Sequence, residues 1–270
     1  MSDISKRIFF IGGGNIAEAI FSGLDHTNIY VIQRNEQKRK LLENKYPHIT
    51  FSAKLNITTT HNDYVILAVK PQDAKETCKT IKYLVQQSNI ITVMSGVTTE
   101  TLTNWLEVKS ITRAMPNSPA MLKKGVTGLY FNNQVPKTCQ EFIKNIFSTI
   151  GSTYIFNDED FIDKITATAG SAPAYVYYLM EQMITTAVEI FNFDPISAKQ
   201  ITLDVFKGAV EMVENQKDLT INELRHNVTS KKGTTAAAIK VFEAKNFKEI
   251  VANAMVACYN RAKEISFQNS

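Results

Sequence analysis

Ile8-Phe9-Phe10-Ile11-Gly12-Gly13-Gly14-Asn15-Ile16-Ala17 begins as four apolar residues, turns on three glycines and continues into a run of helical character. It fits the pattern G-x-G-x-x-A, with Gly12, Gly14 and Ala17 at the small-residue positions. In a strand–turn–helix unit the first glycine permits the tight turn and the second lets the backbone approach a pyrophosphate. The third small residue lets the helix pack closely on the strand. N–H groups at the helix start then bind the anion. A dinucleotide-binding α/β domain is the expectation.

Outward from this unit, short apolar runs rich in β-branched and aromatic residues recur at 29–32, 64–69, 90–94, 111–114 and 128–131, alternating with helix-like segments. Several lack a polar face, as strands covered on both sides of a parallel sheet do. Residues 1–156 therefore read as an N-terminal Rossmann-type doubly wound sheet, closed by a strand-like run at 152–156. From 157 to 270 no period-two alternation remains, and an all-helical C-terminal domain is expected. Pro173 and Pro195 suit first-turn positions, Asp194 suits an N-cap, and Thr220-Ile221-Asn222-Glu223 has capping-box form. The segment 175–191 carries apolar side chains on more than one face. Such a helix is covered on several sides, either by its own subunit or by a second chain in a dimer.

The chain has 270 residues, of which 44% are hydrophobic and 21% charged, a globular balance. No apolar run approaches the roughly 20 residues that span a bilayer. Met1-Ser2-Asp3-Ile4-Ser5-Lys6-Arg7 shows no charged-then-apolar leader, so a cytoplasmic location is expected. The net charge of +4 is spread along the chain and argues against nucleic acid as the main partner. Cys78, Cys139 and Cys258 form no Cys-x-x-Cys pair, and His26, His48, His61 and His226 have no metal-ligand spacing. No metal site and no disulfide framework is expected, and the cysteines read as incidental.

Cofactor choice turns on the end of the second strand, where an acid binds the ribose hydroxyl of NAD and a basic or small polar residue admits the phosphate of NADP. Gln33-Arg34-Asn35 offers no acid, and Arg34 either pairs with that phosphate or is a solvated surface charge. NADPH is favoured, with NADH as the weaker alternative.

Several segments in order resemble pyrroline-5-carboxylate reductases. They are Ile11-Gly12-Gly13-Gly14-Asn15-Ile16-Ala17-Glu18-Ala19-Ile20, Leu67-Ala68-Val69-Lys70-Pro71-Gln72, Ser95-Gly96-Val97 and Arg113-Ala114-Met115-Pro116-Asn117-Ser118-Pro119-Ala120. Two more, Gly170-Ser171-Ala172-Pro173-Ala174-Tyr175 and Val228-Thr229-Ser230-Lys231-Lys232-Gly233-Thr234-Thr235, lie in the helical half. The resemblance covers essentially the whole chain. It implies hydride transfer from NADPH to the C=N bond of 1-pyrroline-5-carboxylate, giving L-proline in the last step of its biosynthesis. It also implies a homodimer through the C-terminal domain, assembled further into rings up to a decamer of dimers.

By position, the resemblance places Gly12, Gly13, Gly14, Asn15, Ile16, Ala17, Arg34, Ala68, Val69, Lys70, Pro71, Ser95 and Gly96 along the cofactor. Asn56 answers to a family asparagine near the adenosine, with the spacing to Asp63 one residue short. Gly170, Ser171 and Ala172 would hold the substrate carboxylate, which a helix start near Pro173 independently favours. Gly233, Thr234 and Thr235 would meet the ring, with Thr235 hydrogen-bonding its nitrogen. Glu159 answers to a carboxylate near the substrate or the dimer neighbour; a first-turn acid favoured by the helix dipole is its plain alternative.

Two segments depart from the family pattern. S-G-S-G-P-A-Y is here Ala169-Gly170-Ser171-Ala172-Pro173-Ala174-Tyr175, and S-P-G-G-T-T is Ser230-Lys231-Lys232-Gly233-Thr234-Thr235. A residue before proline is expected to be extended, which alanine accepts. If position 232 requires positive φ, lysine there costs stability. Competing expectations are a β-hydroxyacid dehydrogenase, whose catalytic lysine motif is missing, and an NADPH-binding protein without catalysis.

Overall fold

The computed structural model describes residues 6–25 and 28–269. The opening residues 1–5 and His26, both considered above, lie outside the described residues, as do Thr27 and Ser270.

β1 (Ile8–Ile11) is fully buried because it runs mid-sheet, parallel to β2 (Ile29–Ile32) on one side and β4 (Tyr64–Leu67) on the other. With β3 (Thr50–Ser52), β5 (Asn89–Thr92), β6 (Ile111–Met115), β7 (Gly125–Phe131) and β8 (Gly151–Phe156), the sheet order is β3-β2-β1-β4-β5-β6-β7-β8. Strands β1 to β6 are parallel where they pair, but β7 is antiparallel to β6 and β8 parallel to β7. The sheet is therefore mixed rather than purely parallel. Its cause is the link at 116–124, too short for the crossover of a dozen or more residues that parallel strands need.

Alternation along β1 sends Ile8 and Phe10 to one face and Phe9 and Ile11 to the other. On the first face they join Ile20 and Phe21 of α1 (Asn15–Gly23) and Ile143 and Phe147 of α5 (Lys137–Ser148). On the second they join Ile81 of α3 (Ala74–Val85) and Leu102 of α4 (Thr99–Leu106). The strands are covered on both sides, as their unbroken apolar character requires. α2 (Glu36–Lys45) buries only Leu42.

After β8 the described chain is helical throughout. α6 (Asp160–Ile165), a π turn at Thr166–Gly170 and α7 (Ala172–Glu189) follow one another almost without a break. α8 (Pro195–Asn215) starts on Pro195 with Asp194 capping the Ile196 and Ser197 N–H groups, and α9 (Ile221–Asn227) carries the Thr220–Glu223 capping box. α10 (Thr234–Ala244) and α11 (Phe247–Asn269) complete the chain. α7 contains no buried residue; Tyr177 and Tyr178 are 59% and 65% exposed, and Val176, Leu179 and Met183 lie open as well. Its apolar faces are not covered by the other described residues, contrary to the expectation for a helix central to one subunit. No helix among the described residues is long and apolar enough to cross a membrane. Two compact units result, one within Met1–Pro173 and Val256–Ser270, the other Ala174–Met255.

Candidate cofactor and substrate site

In a parallel sheet all strands end on one edge. The register pairs Ile11 with Ile32 and Leu67, and Leu67 with Thr92, so Gly12, Gln33, Ala68 and Val93 emerge side by side. The order reverses between β1 and β4, where ligands of such sheets bind. Gly12 has φ +103°, and a Cβ there would lie 2.5 Å from the Ala68 carbonyl oxygen, so only glycine fits. A Cβ on Gly14 would meet nothing closer than that same oxygen at 4.0 Å. Gly14 is thus not demanded by the protein's own packing, and its bare backbone leaves room above the helix start.

Gly14 caps α1 with no side-chain hydrogen bond, and the first helical bond runs from the Glu18 N–H to the Gly14 carbonyl. The preceding N–H groups of Asn15, Ile16 and Ala17 belong to the set a helix start leaves unsatisfied. By contrast, α2 is capped by Asn35 and α4 by Thr98. Room, free donors and the positive end of the dipole fit a pyrophosphate.

Along the same edge, Val69 packs against Gly12, and Lys70 leads into a 3₁₀ turn at Pro71–Asp73. Gly96, at φ +69°, is buried under the end of α11: a Cβ would lie 2.4 Å from Ile265 Cγ2. Ser95 beside it is half-buried. Arg34 is exposed at the end of β2, where the Gln33 side chain accepts the Asn35 N–H (3.0 Å) and the Gln33 carbonyl accepts from Arg39 (3.0 Å). Asn56 is exposed on the segment after β3.

Around Ser171 the structure departs from the expected free helix start. The π turn holds the Ser171 N–H on the Thr166 carbonyl (2.8 Å), Ser171 itself is near-helical, and Ala172 already opens α7 rather than being extended. The wider π ring takes up the residue that would otherwise form a loop. Pro173 has no N–H for the carbonyl of Ala169, four residues back, and Asn117 supplies it instead, donating from Nδ2 at 3.0 Å. Asn117 Oδ1 in turn accepts the Val126 N–H (2.8 Å), so one side chain ties the π turn to β7. The Cys258 thiol donates to Ser171 Oγ (3.3 Å), which leaves the Ser171 hydroxyl proton for a ligand. Gly170 rests on Met115 at the end of β6.

Glu159 faces inward. One oxygen accepts the Thr99 N–H (2.8 Å) and lies 3.2 Å from the Arg113 guanidinium, and the other accepts the Thr99 hydroxyl (2.7 Å). Arg113, 1% exposed, also holds Asp163 at 2.8 Å. Next to it, hydrogen bonds from Lys164 and Lys263 hold the Asp160 carboxyl well below the usual range.

In the other unit, Lys232 adopts φ +63°, so the left-handed position is kept with lysine in it. Gly233 N-caps α10, and a Cβ on it would lie 2.3 Å from Ser230 Oγ. Thr235 follows in the first turn, half-buried, with Thr234 exposed.

Comparison with known proteins places these features in a family. The profile for pyrroline-5-carboxylate reductase dimerisation matches residues 159–265, and that described as NADP oxidoreductase, coenzyme F420-dependent, matches 7–96. The chain is 35% identical over 275 residues to the pyrroline-5-carboxylate reductase of Haemophilus influenzae, covering 96% of this chain and 97% of that one. The chain belongs to the pyrroline-5-carboxylate reductase family. The enzyme of that name from Pseudomonas aeruginosa is 34% identical, with 98% of each chain covered. The solved structure of the family member from Coxiella burnetii has a TM-score of 0.84 at 34% identity over 96% of this chain and 98% of that one. At 24% identity, the NADP-bound pyrroline carboxylate reductase of Plasmodium falciparum shares the fold, with a TM-score of 0.84 over 96% of this chain and 98% of that one. Family membership makes the chain an oxidoreductase, and the match to a dimerisation domain supports homo-oligomerisation.

No local sequence signal marks Arg113, Thr99, Asn117 or Cys258 as site residues. Their partners lie 46, 60, 52 and 87 positions away, beyond the reach of any local spacing rule.

Proposed function

We propose that the chain reduces 1-pyrroline-5-carboxylate to L-proline with NADPH, and that it does so as a homodimer formed through the helical half from residue 157 onward. The observation that carries the cofactor part is the uncapped start of α1, with Gly12 locked under Ala68 and open space above Gly14. When bound, the cofactor supplies a hydride.

The chain's own residues do the rest. Asn15, Ile16 and Ala17 give backbone N–H groups to the pyrophosphate, with Gly13, Ala68, Val69, Lys70, Pro71, Ser95 and Gly96 lining the bound dinucleotide and Asn56 near its adenosine. Arg34 pairs with the ribose phosphate, and the missing acid at Gln33 disfavours NADH. Ser171, oriented by Cys258, donates its hydroxyl to the substrate carboxylate beside Gly170 and Ala172. Gly233 and Thr234 shape the turn that presents Thr235 to the ring nitrogen. The protonated imine carbon takes the hydride, the nitrogen keeps its proton, and a secondary amine results. Holding the ring in register with the nicotinamide face lowers the barrier by roughly 7–11 kcal/mol in well-aligned systems, so no strong acid is required.

The exposed apolar faces of α7 support cover by a second copy. Further assembly to a decamer of dimers and a cytoplasmic location belong to the same proposal. Thr235→Ala tests the catalytic assignment. The expected result is turnover reduced at least tenfold with NADPH binding retained and Thr235→Ser close to wild type; unchanged turnover in Thr235→Ala removes the residue from the mechanism.

A further inference from the structure

Family resemblance points Glu159 at the substrate, yet both of its oxygens are taken up inside the protein. Their main partner is Thr99, the first residue of α4, three positions beyond the Ser95–Gly96 turn. The Thr99 N–H and hydroxyl reach opposite oxygens of the carboxylate at 2.8 and 2.7 Å. This carboxylate sits at the positive end of α4, where a negative charge is stabilised. Arg113 of β6 then carries the connection onward, 3.2 Å from Glu159 and 2.8 Å from Asp163 of α6, with Arg113 and Asp163 almost fully buried. α6 runs straight into the π turn that bears Gly170 and Ser171.

The turn is held from its other side as well. Gly96 is packed so closely against Ile265 that a single added carbon has no room. Glu159 thus anchors the start of α4 three residues after the turn, while α11 packs on the turn itself. A charge-assisted contact to a helix start is also stronger than a neutral one, which suits a joint that must not slide.

We infer that Glu159, held by Arg113, is a positioning residue: through Thr99 it fixes the Ser95–Gly96 turn for the dinucleotide and sets that turn against the strand and helix that carry the Ser171 side. The inference rests on the proposed function, because it takes Ser95–Gly96 as cofactor-lining.

The test compares wild type with Glu159→Gln, Thr99→Ala and Thr99→Ser, assayed well below their melting temperatures. Wild-type NADPH binding, read by quenching of the single tryptophan, Trp105 on α4, comes first; its absence would sink the proposed function itself rather than this inference. Given that binding, Glu159→Gln is expected to raise the NADPH Kd and KM about tenfold while kcat at saturation falls no more than about threefold. Thr99→Ala is expected to raise the NADPH KM severalfold, and Thr99→Ser to restore it. A lower melting temperature with unchanged NADPH constants would make the cluster merely structural and overturn the inference. A hundredfold loss of kcat at unchanged KM, with one limb of the pH profile removed, would make Glu159 catalytic and overturn it equally.

Discussion

Asn117→Ala removes a side chain that is 7% exposed and holds two backbone groups at once. The Val126 N–H loses its acceptor, and the Ala169 carbonyl loses the donor that Pro173 cannot provide. Leaving a buried polar group unpaired costs about 1–3 kcal/mol, so the two together should cost about 2–6 kcal/mol. For a unit of this size that is a melting point roughly 4–24 °C lower. The site should suffer too, since the loosened π turn carries Ser171; a severalfold rise in the KM for pyrroline-5-carboxylate is expected. Pro173→Ala restores an N–H that can reach Ala169, so in the Asn117→Ala background it should recover about 1 kcal/mol. Urea unfolding of the single and double variants, followed through Trp105, gives the comparison. Strictly additive losses in the double variant would refute the account of why Asn117 is there.

Three further outcomes follow from the geometry. Lys232→Gly relieves a left-handed lysine, a strain of about 1–2 kcal/mol partly offset by the looser unfolded chain; unfolding experiments should show a net gain of about 0.5–1 kcal/mol, and a loss would mean that Lys232 makes compensating contacts. Arg34→Ala should narrow the ratio of kcat/KM for NADPH over NADH, and an unchanged ratio would end its phosphate-binding role. Burial alone would raise the Asp63 carboxyl, but hydrogen bonds from Arg7 and Thr60 outweigh it and hold it below its ordinary value. A lowered folded value means that this stabilisation is complete above about pH 4 and is lost as pH falls through the folded value. Asp63→Asn should therefore flatten the acid limb of a stability–pH curve, and a parallel shift of the whole curve would contradict this.

The glycine turn was legible because its chemistry is local: Gly12 needs a positive φ and close approach, and both show as G-x-G beside an apolar run. The helical caps at Asp194 and Thr220 were legible for the same reason. β3 was not, because three residues beginning with an exposed Thr50 make no apolar run. The reversal of β7 was hidden because apolar pattern reports burial, not strand direction. Ala172-Pro173 suggested a break in the chain, since the usual effect of proline on its predecessor gives no hint that a π turn upstream and Asn117 would absorb it. Glu159 was found through resemblance, but its role depends on Thr99 and Arg113, which only the folded sheet brings to it.

Hydride delivery from NADPH to a five-membered cyclic imine is the function proposed for this chain. Its most direct test follows NADPH absorbance when the purified protein meets 1-pyrroline-5-carboxylate, with NADH and a six-membered cyclic imine as parallel arms and proline measured as product. The expected result is NADPH-preferring turnover with proline formed mole for mole. Tight NADPH binding without turnover of this imine would contradict it, and would point to the altered segments around Ala172 and Lys232 as the place where the family's chemistry was lost or redirected.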